Sequence, residues 1–217
     1  MYPESASMML NMESRDNASA ASFASIEYPR CCTAATNAFS SVRSAGSMTM
    51  GITIDYSAAI IANNTIIAYG DSGSQYGIYH HCNSTNVHTS YIGNNIFGTR
   101  RAAGYGVYVQ EAYGSIYLST NSTFLFTTEH STSTAIVSDV SNLYTASDVF
   151  TSVFVGTYDT DFSNGDSTDY HLNAADATYA YNKGSDMSGS TWGAVTDDID
   201  AQARPRATYW DIGADER

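Results

Sequence analysis

The chain has 217 residues, 43% of them hydrophobic and only 14% charged, with a formal net charge of −13. This length suits one elongated domain or a core with a cap. The charge argues against a nucleic-acid partner, which needs a basic face, and against adhesion to anionic bilayers, while leaving a carbohydrate partner open.

Seventeen tyrosines, a single lysine (Lys183) and abundant Ser, Thr, Asn and Gly favour β-structure with polar loops. Residues 1–30 read as an irregular or partial first coil, with Met8-Met9-Leu10 and Ser22–Ile26 as its strands. Met1–Met12 lacks the basic start and apolar block of a signal peptide, and no run is long and apolar enough to span a membrane. The three cysteines, Cys31, Cys32 and Cys82, are an odd count without zinc spacing, and are expected to be small buried apolar residues.

Residues 31–145 carry a repeat. Thr36-Asn37-Ala38-Phe39, Asn63-Asn64-Thr65-Ile66, Asn94-Asn95-Ile96-Phe97 and Asn121-Ser122-Thr123-Phe124 place a large apolar residue at intervals of 27, 31 and 27 residues. A second motif keeps step with it: Gly51-Ile52-Thr53-Ile54, Gly77-Ile78-Tyr79-His80, Gly106-Val107-Tyr108-Val109 and Ala135-Ile136-Val137-Ser138, spaced by 26, 29 and 29. Each period therefore holds three short strands, too few for a propeller blade. Second strands are expected at Ala58–Ile61, Val87–Ile92 and Ser115–Leu118, and third strands at Ile66–Ala68, Ile96–Phe97 and Phe124–Phe126. A parallel β-helix, a solenoid with three strands per coil, fits this pattern, and the general rule for parallel crossovers makes it right-handed. The Asn pair marks a sharp corner with one residue near the left-handed region, and stacked Asn amides can form a ladder.

The Gly-Ile-x-x start and the Ile61-Ala62-Asn63-Asn64-Thr65-Ile66 corner resemble the repeat of right-handed parallel β-helix proteins of the pectin-lyase-like superfamily. Residues 146–217 leave the repeat. Their run of Asp169-Tyr170-His171-Leu172, Asn182-Lys183-Gly184, Asp197-Asp198-Ile199-Asp200, Arg204-Pro205-Arg206 and Trp210-Asp211-Ile212-Gly213-Ala214-Asp215-Glu216 resembles the C-terminal region of bacterial extracellular proteins of the choice-of-anchor Q type. Ala201 stands where that pattern has Gly, and Asp215 precedes the Glu. The resemblance implies an extracellular or cell-surface location. The segment is expected to be a C-terminal cap over the open strand edges of the last coil, and residues 1–30 either an unusual cap or a join to missing upstream coils.

Strand alternation turns Ile52 and Ile54 inward and predicts two outward columns: Thr53/Tyr79/Tyr108/Val137 and Asp55/His81/Gln110/Asp139. Tyrosine rings offer apolar faces to a sugar and the polar column offers hydrogen bonds, so Tyr79, His81, Tyr108, Gln110, Asp55 and Asp139 are the candidate carbohydrate-binding residues. A solvated face of ordinary β-favouring tyrosines accounts for the same pattern. His80 takes an inward slot and reads as a hydrogen-bonded core residue.

Three functions stay open. One is a module binding polysaccharide or a cell-surface glycan. Another is a polysaccharide lyase or glycosidase fragment, with His81 or Tyr79 as base and Arg100 and Arg101 nearby; a hydrolase needs two carboxylates about 5–9.5 Å apart, and Asp55 and Asp139 sit three coils apart, about 14 Å. The last is a structural stalk, such as a trimeric adhesin or phage fibre. No cofactor is implied. Asp159, Asp161 and Asp166 alternate like calcium ligands, but without the EF-hand spacing, and an acidic surface turn explains them equally.

Overall fold

The computed structural model describes residues 20–27, 33–36, 39–44, 48–70, 73–85, 87–99, 104–111, 113–131, 133–138, 142–144, 171–172, 180–189, 195–198, 200–206 and 208–216. Cys31, Cys32, Arg100, Arg101, Asp139, Asp159, Asp161 and Asp166 lie outside these residues.

Among the described residues, fifteen strands wind through five coils of three. The coils are β1 (Ala20–Glu27), β2 (Thr33–Thr36) and β3 (Phe39–Ser44); β4 (Met48–Asp55), β5 (Ala59–Ala62) and β6 (Thr65–Gly70); β7 (Ser74–His81), β8 (Thr89–Gly93) and β9 (Ile96–Thr99); β10 (Tyr105–Val109), β11 (Ser115–Ser119) and β12 (Ser122–Phe124); and β13 (Thr128–His130), β14 (Ile136–Ser138) and β15 (Asn142–Tyr144). Every third strand pairs with its equivalent in the next coil, giving three five-stranded sheets in the orders β1-β4-β7-β10-β13, β2-β5-β8-β11-β14 and β3-β6-β9-β12-β15. All named pairings are parallel. The expected all-β parallel β-helix is therefore present. Its core is a column of β-branched and aromatic side chains, with Ile54, Ile78, Ile61, Ile92, Ile66, Phe97 and Phe126 essentially inaccessible. Each fully buried side chain of this kind contributes about 1.5–3 kcal/mol.

The corner between the second and third sheets divides its work between two adjacent residues. Asn63, Asn94 and Thr120 adopt φ of 55°, 52° and 54°, the left-handed backbone that Asn tolerates best among non-glycine residues. The following residues, Asn64, Asn95 and Asn121, point inward, fully buried, and form the ladder. The Asn64 amide donates to Asn95 Oδ1 at 2.9 Å, and the Asn95 amide donates to Asn121 Oδ1 at 2.9 Å. The same oxygens accept the backbone N–H of Asn64 and Asn95 at 3.0 and 3.1 Å. Remaining amide protons reach the carbonyls of Ala62, Ile61 and Ile92.

The ladder corrects the phase read from sequence. Asn121 aligns with Asn64 and Asn95, at separations of 26 and 31 residues, so Thr120 and not Asn121 occupies the left-handed position. Ile66 pairs with Phe97, Phe97 with Thr123, and Phe124 with Gly98; the third strand of that coil is Ser122–Phe124, two residues earlier than expected. Phe39 likewise pairs with Thr65, not Ile66. Matching the large apolar residues had shifted the first and last copies by one.

Glycine earns its place in the first sheet by close approach. A Cβ on Gly77 would sit 2.6 Å from the Gly106 carbonyl and 2.8 Å from the Phe97 ring. Phe97, from the third sheet, therefore fills the space that the missing side chain leaves.

Where a cap over the edges of the last coil was expected, the described C-terminal residues instead form a lateral clasp. Its described residues pack along the Asn corner of three successive coils. Ser185 exchanges two hydrogen bonds with the Asn94 side chain, 2.7 and 2.8 Å, and its hydroxyl meets that of Thr120. Gly213 N–H donates to the Asn94 carbonyl at 2.7 Å, and Ala214 N–H to Thr65 Oγ1 at 3.1 Å. Met187, Val195 and Trp210 bury Ala62. Gly213 has φ 102°, and a Cβ there would strike Ile96 at 2.6 Å. Arg204 ties the clasp together, reaching Glu216 at 3.0 Å, the carbonyls of Gly213 and Ala214, and that of Asp197.

Adjacent asparagines should respond oppositely to mutation. Asn95→Ala removes the acceptor of the Asn64 backbone and side-chain N–H groups and one of the two donors to Asn121 Oδ1, at about 1–3 kcal/mol per unsatisfied group, and should destabilise the protein by about 3–5 kcal/mol in urea melts. Asn63 is buried with neither amide atom hydrogen-bonded among the described residues. Asn63→Gly relieves both that burial and the left-handed strain, so it should leave stability unchanged or raise it by about 1 kcal/mol.

Candidate functional site

The outward face of the first sheet is shaped by the same glycines. Alternation along β4, β7 and β10 breaks at Gly51, Gly77 and Gly106, so that the glycine and the residue after it both turn inward. The break recurs in each coil without a change of pairing register. It brings Tyr76 and Tyr105, paired in register, onto the same face as Tyr79 and Tyr108. Strict period-two reading from Ile52 missed both; the signal in the sequence is Tyr-Gly-Ile-Tyr and Tyr-Gly-Val-Tyr, where a glycine interrupts the alternation.

The result is a cluster of four rings. Tyr79 and Tyr108 stack at 5.4 Å with planes 26° apart, and Tyr76 stacks on Tyr105 at 6.2 Å and 7°. Tyr76 bridges the pairs, 5.4 Å from Tyr79 and 4.9 Å from Tyr108. Tyr76 is buried beneath the cluster, whereas Tyr79, Tyr105 and Tyr108 remain partly exposed. Burial, and then the neighbouring Tyr108, Tyr76 and Asp55, push the Tyr79 phenol above its ordinary value. It therefore stays protonated near neutral pH, donates a hydrogen bond to Gln110 Oε1, and is poorly suited to act as a base.

Beside the rings stands a charged rim. Asp55 and His81 are paired in register, and Asp55 Oδ1 lies 2.9 Å from His81 Nδ1. The other ring nitrogen, Nε2, faces the Tyr56 hydroxyl at 3.2 Å and Glu111 Oε1 at 3.6 Å. Tyr56 reaches there because its backbone turns out of the strand at φ 50°, and its ring lies 4.4 Å from the imidazole. One imidazole is thus held between two carboxylates.

Five of the six candidate residues, Tyr79, Tyr108, Gln110, Asp55 and His81, share this face. The sixth, Asp139, lies outside the described residues, and the strand before it departs from the expected column. Ala135–Ser138 was expected on this sheet, but Ile136–Ser138 is β14, which pairs with β11 in the second sheet. The fifth strand of the first sheet is Thr128–His130, with Val107 opposite His130. A short connection after Phe124, with Leu125 left-handed at φ 62°, brings that strand in earlier than the glycine spacing implies. Val137 thus does not continue the tyrosine column.

Behind the face, His80 is 1% exposed and bonds through Nε2 to Ser90 Oγ at 3.0 Å and through Nδ1 to Cys82 Sγ at 3.5 Å. Burial, followed by His88 and His81, lowers its pKa to about 4. Burial, followed by Asp55 and Glu111, pushes the Cys82 thiol up to about 11, so it is an inert, protonated core group.

No protein-family model matches the chain, and no curated protein or solved structure matches it significantly.

His80 makes stability depend on pH with a defined sign. The unfolded chain takes up its proton near pH 6.5 and the folded chain near pH 4, so stability is full above pH 6.5 and falls as pH drops between the two. The slope is about 1.4 kcal/mol per pH unit within that window. Urea melts of the parent and His80→Gln from pH 7 to 4.5 should differ by this slope; parallel profiles would refute the assignment.

Proposed function

We propose that the chain is an extracellular or surface-displayed module that binds polysaccharide across the tyrosine face of the first sheet. The observation that carries this reading is the stack of Tyr79 on Tyr108, flanked by Tyr105 and edged by Gln110, Asp55 and His81. Phenol rings in successive coils present apolar surface to sugar rings, and the rim supplies donors and acceptors that fix orientation. The groups around His81 are carboxylates, so the face favours neutral or amine-bearing sugars over uronates. The location rests on the C-terminal motif and on the resemblance to pectin-lyase-like and choice-of-anchor Q proteins, supported by the parallel β architecture.

Affinity electrophoresis in gels containing neutral, amine-bearing or acidic polysaccharides tests the reading. Retardation is expected in at least one neutral or amine-bearing gel. Tyr79→Ala/Tyr108→Ala should abolish it, because each aromatic contact contributes about 0.5–1.5 kcal/mol beyond its area. Retardation unchanged in the double variant would overturn the proposal.

A second reading, a glycosidase or lyase fragment, draws on His81 between Asp55 and Glu111. The two carboxylates on either side of one imidazole replace the distant Asp55–Asp139 pair considered from sequence, and could provide acid and base groups. It requires new reducing ends or unsaturated products from a bound polysaccharide, lost in His81→Ala. Binding without product release favours the binding module.

A further inference from the structure

The clasp concentrates negative charge around one guanidinium. Asp198, Asp211, Asp215 and Glu216 all act on Arg204, and each is at most 5% exposed. Arg204 directs its hydrogen bonds to Glu216 and to the carbonyls of Gly213, Ala214 and Asp197, leaving Asp198 and Asp215 without a cationic hydrogen-bond donor from it. Buried carboxylates need a counter-charge.

At Asp215 a donor set converges. One ligand atom each from His171, Asp200 and Asp215 lies within 4.8 Å of the others. His171 Nε2 and Asp200 Oδ2 are 3.1 Å apart, a distance that two donors each about 2.1 Å from a shared ion would span. Asp215 Oδ2 accepts the N–H of Leu172 at 2.7 Å, which fixes that carboxylate beside His171. The independent observation is Asp198. Its Oδ1 accepts the N–H groups of Asp200 and Gln202 at 2.9 and 2.7 Å. Its Oδ2 is buried with no hydrogen-bond partner among the described residues, and its charge acts on Asp215. This buried, uncompensated carboxylate, bonded through its other oxygen to the Asp200 N–H, adds negative charge beside the His/Asp/Asp group, which a bound cation would offset.

We propose that His171, Asp200 and Asp215 bind one divalent first-row transition-metal ion that fastens the His171-Leu172 segment to the C-terminal clasp. The imidazole selects for this class over calcium or magnesium, which take all-oxygen sets. The sequence pattern alone did not point here, because the donors are 29 and 15 residues apart and are brought together only by the fold of the clasp.

The test uses the full chain after chelator treatment, titrated calorimetrically with Zn²⁺, Mn²⁺ and, for comparison, Ca²⁺. Zn²⁺ or Mn²⁺ should bind at one ion per chain and raise Tm. His171→Ala and Asp200→Asn, both at half-exposed positions, should weaken that binding at least about tenfold while leaving the metal-free Tm unchanged. Tyr79→Ala/Tyr108→Ala should bind the ion like the parent, which separates this result from the fate of the carbohydrate reading. No saturable uptake of Zn²⁺ or Mn²⁺, uptake indifferent to both clasp variants, or tighter binding of Ca²⁺ than of either ion would each overturn the proposal.

Discussion

The stacked amides of Asn64, Asn95 and Asn121 are the constraint on which the rest depends. Each is fully buried, and each bonds both to an asparagine of a neighbouring coil and to a backbone carbonyl of the second sheet. A buried amide without partners is costly, so a coil shifted by one residue would lose several such bonds at once. Hydrophobic side chains alone are forgiving of register on a face that stays apolar, and the amide ladder removes that freedom. With the second-to-third corner fixed, the inward placement of Phe97 follows, and with it the need for glycine at position 77. The break in alternation at that glycine then decides which tyrosines share the outer face. Core register and surface chemistry are thus consequences of one column of side-chain hydrogen bonds.

The architecture was legible in the sequence because parallel stacking writes the same physical requirements once per coil. Asn at a left-handed corner and glycine under a large third-sheet residue are local needs with few solutions. Phase was harder. Thr120 performs the corner turn that Asn63 and Asn94 perform elsewhere, so matching by residue type placed Asn121 one position out. The fifth coil misled further, since Ala135-Ile136-Val137-Ser138 has the alternation of a first-sheet strand but joins the second sheet. A solvated strand of three residues, Thr128–His130, has too little apolar pattern to announce itself.

The candidate face was half legible for a related reason. Tyr79, Tyr108, Asp55 and His81 obey simple alternation and were placed together. Tyr76 and Tyr105 were lost because a glycine breaks the alternation, and Tyr56 and the direction of Glu111 because they lie just beyond strand ends, where side-chain direction follows backbone turns. The long-range clasp left almost no trace. Its bonds join Ala214 to Thr65 across 149 residues, and nothing in either stretch names the other.

That separation changes what kind of solenoid this is. A stack in which each coil touches only its neighbours gains stability in increments, and can fray from either end. Here residues 185–214 lie across three coils laid down far earlier, so those coils share one fastening. The contact order of the domain is raised accordingly. During synthesis the middle coils emerge with their Asn corner bare, and the apolar surface around Ala62 waits for Met187, Val195 and Trp210. Completion of the middle coils therefore waits for residues 185–214, and removing those residues would loosen these coils before the fifth.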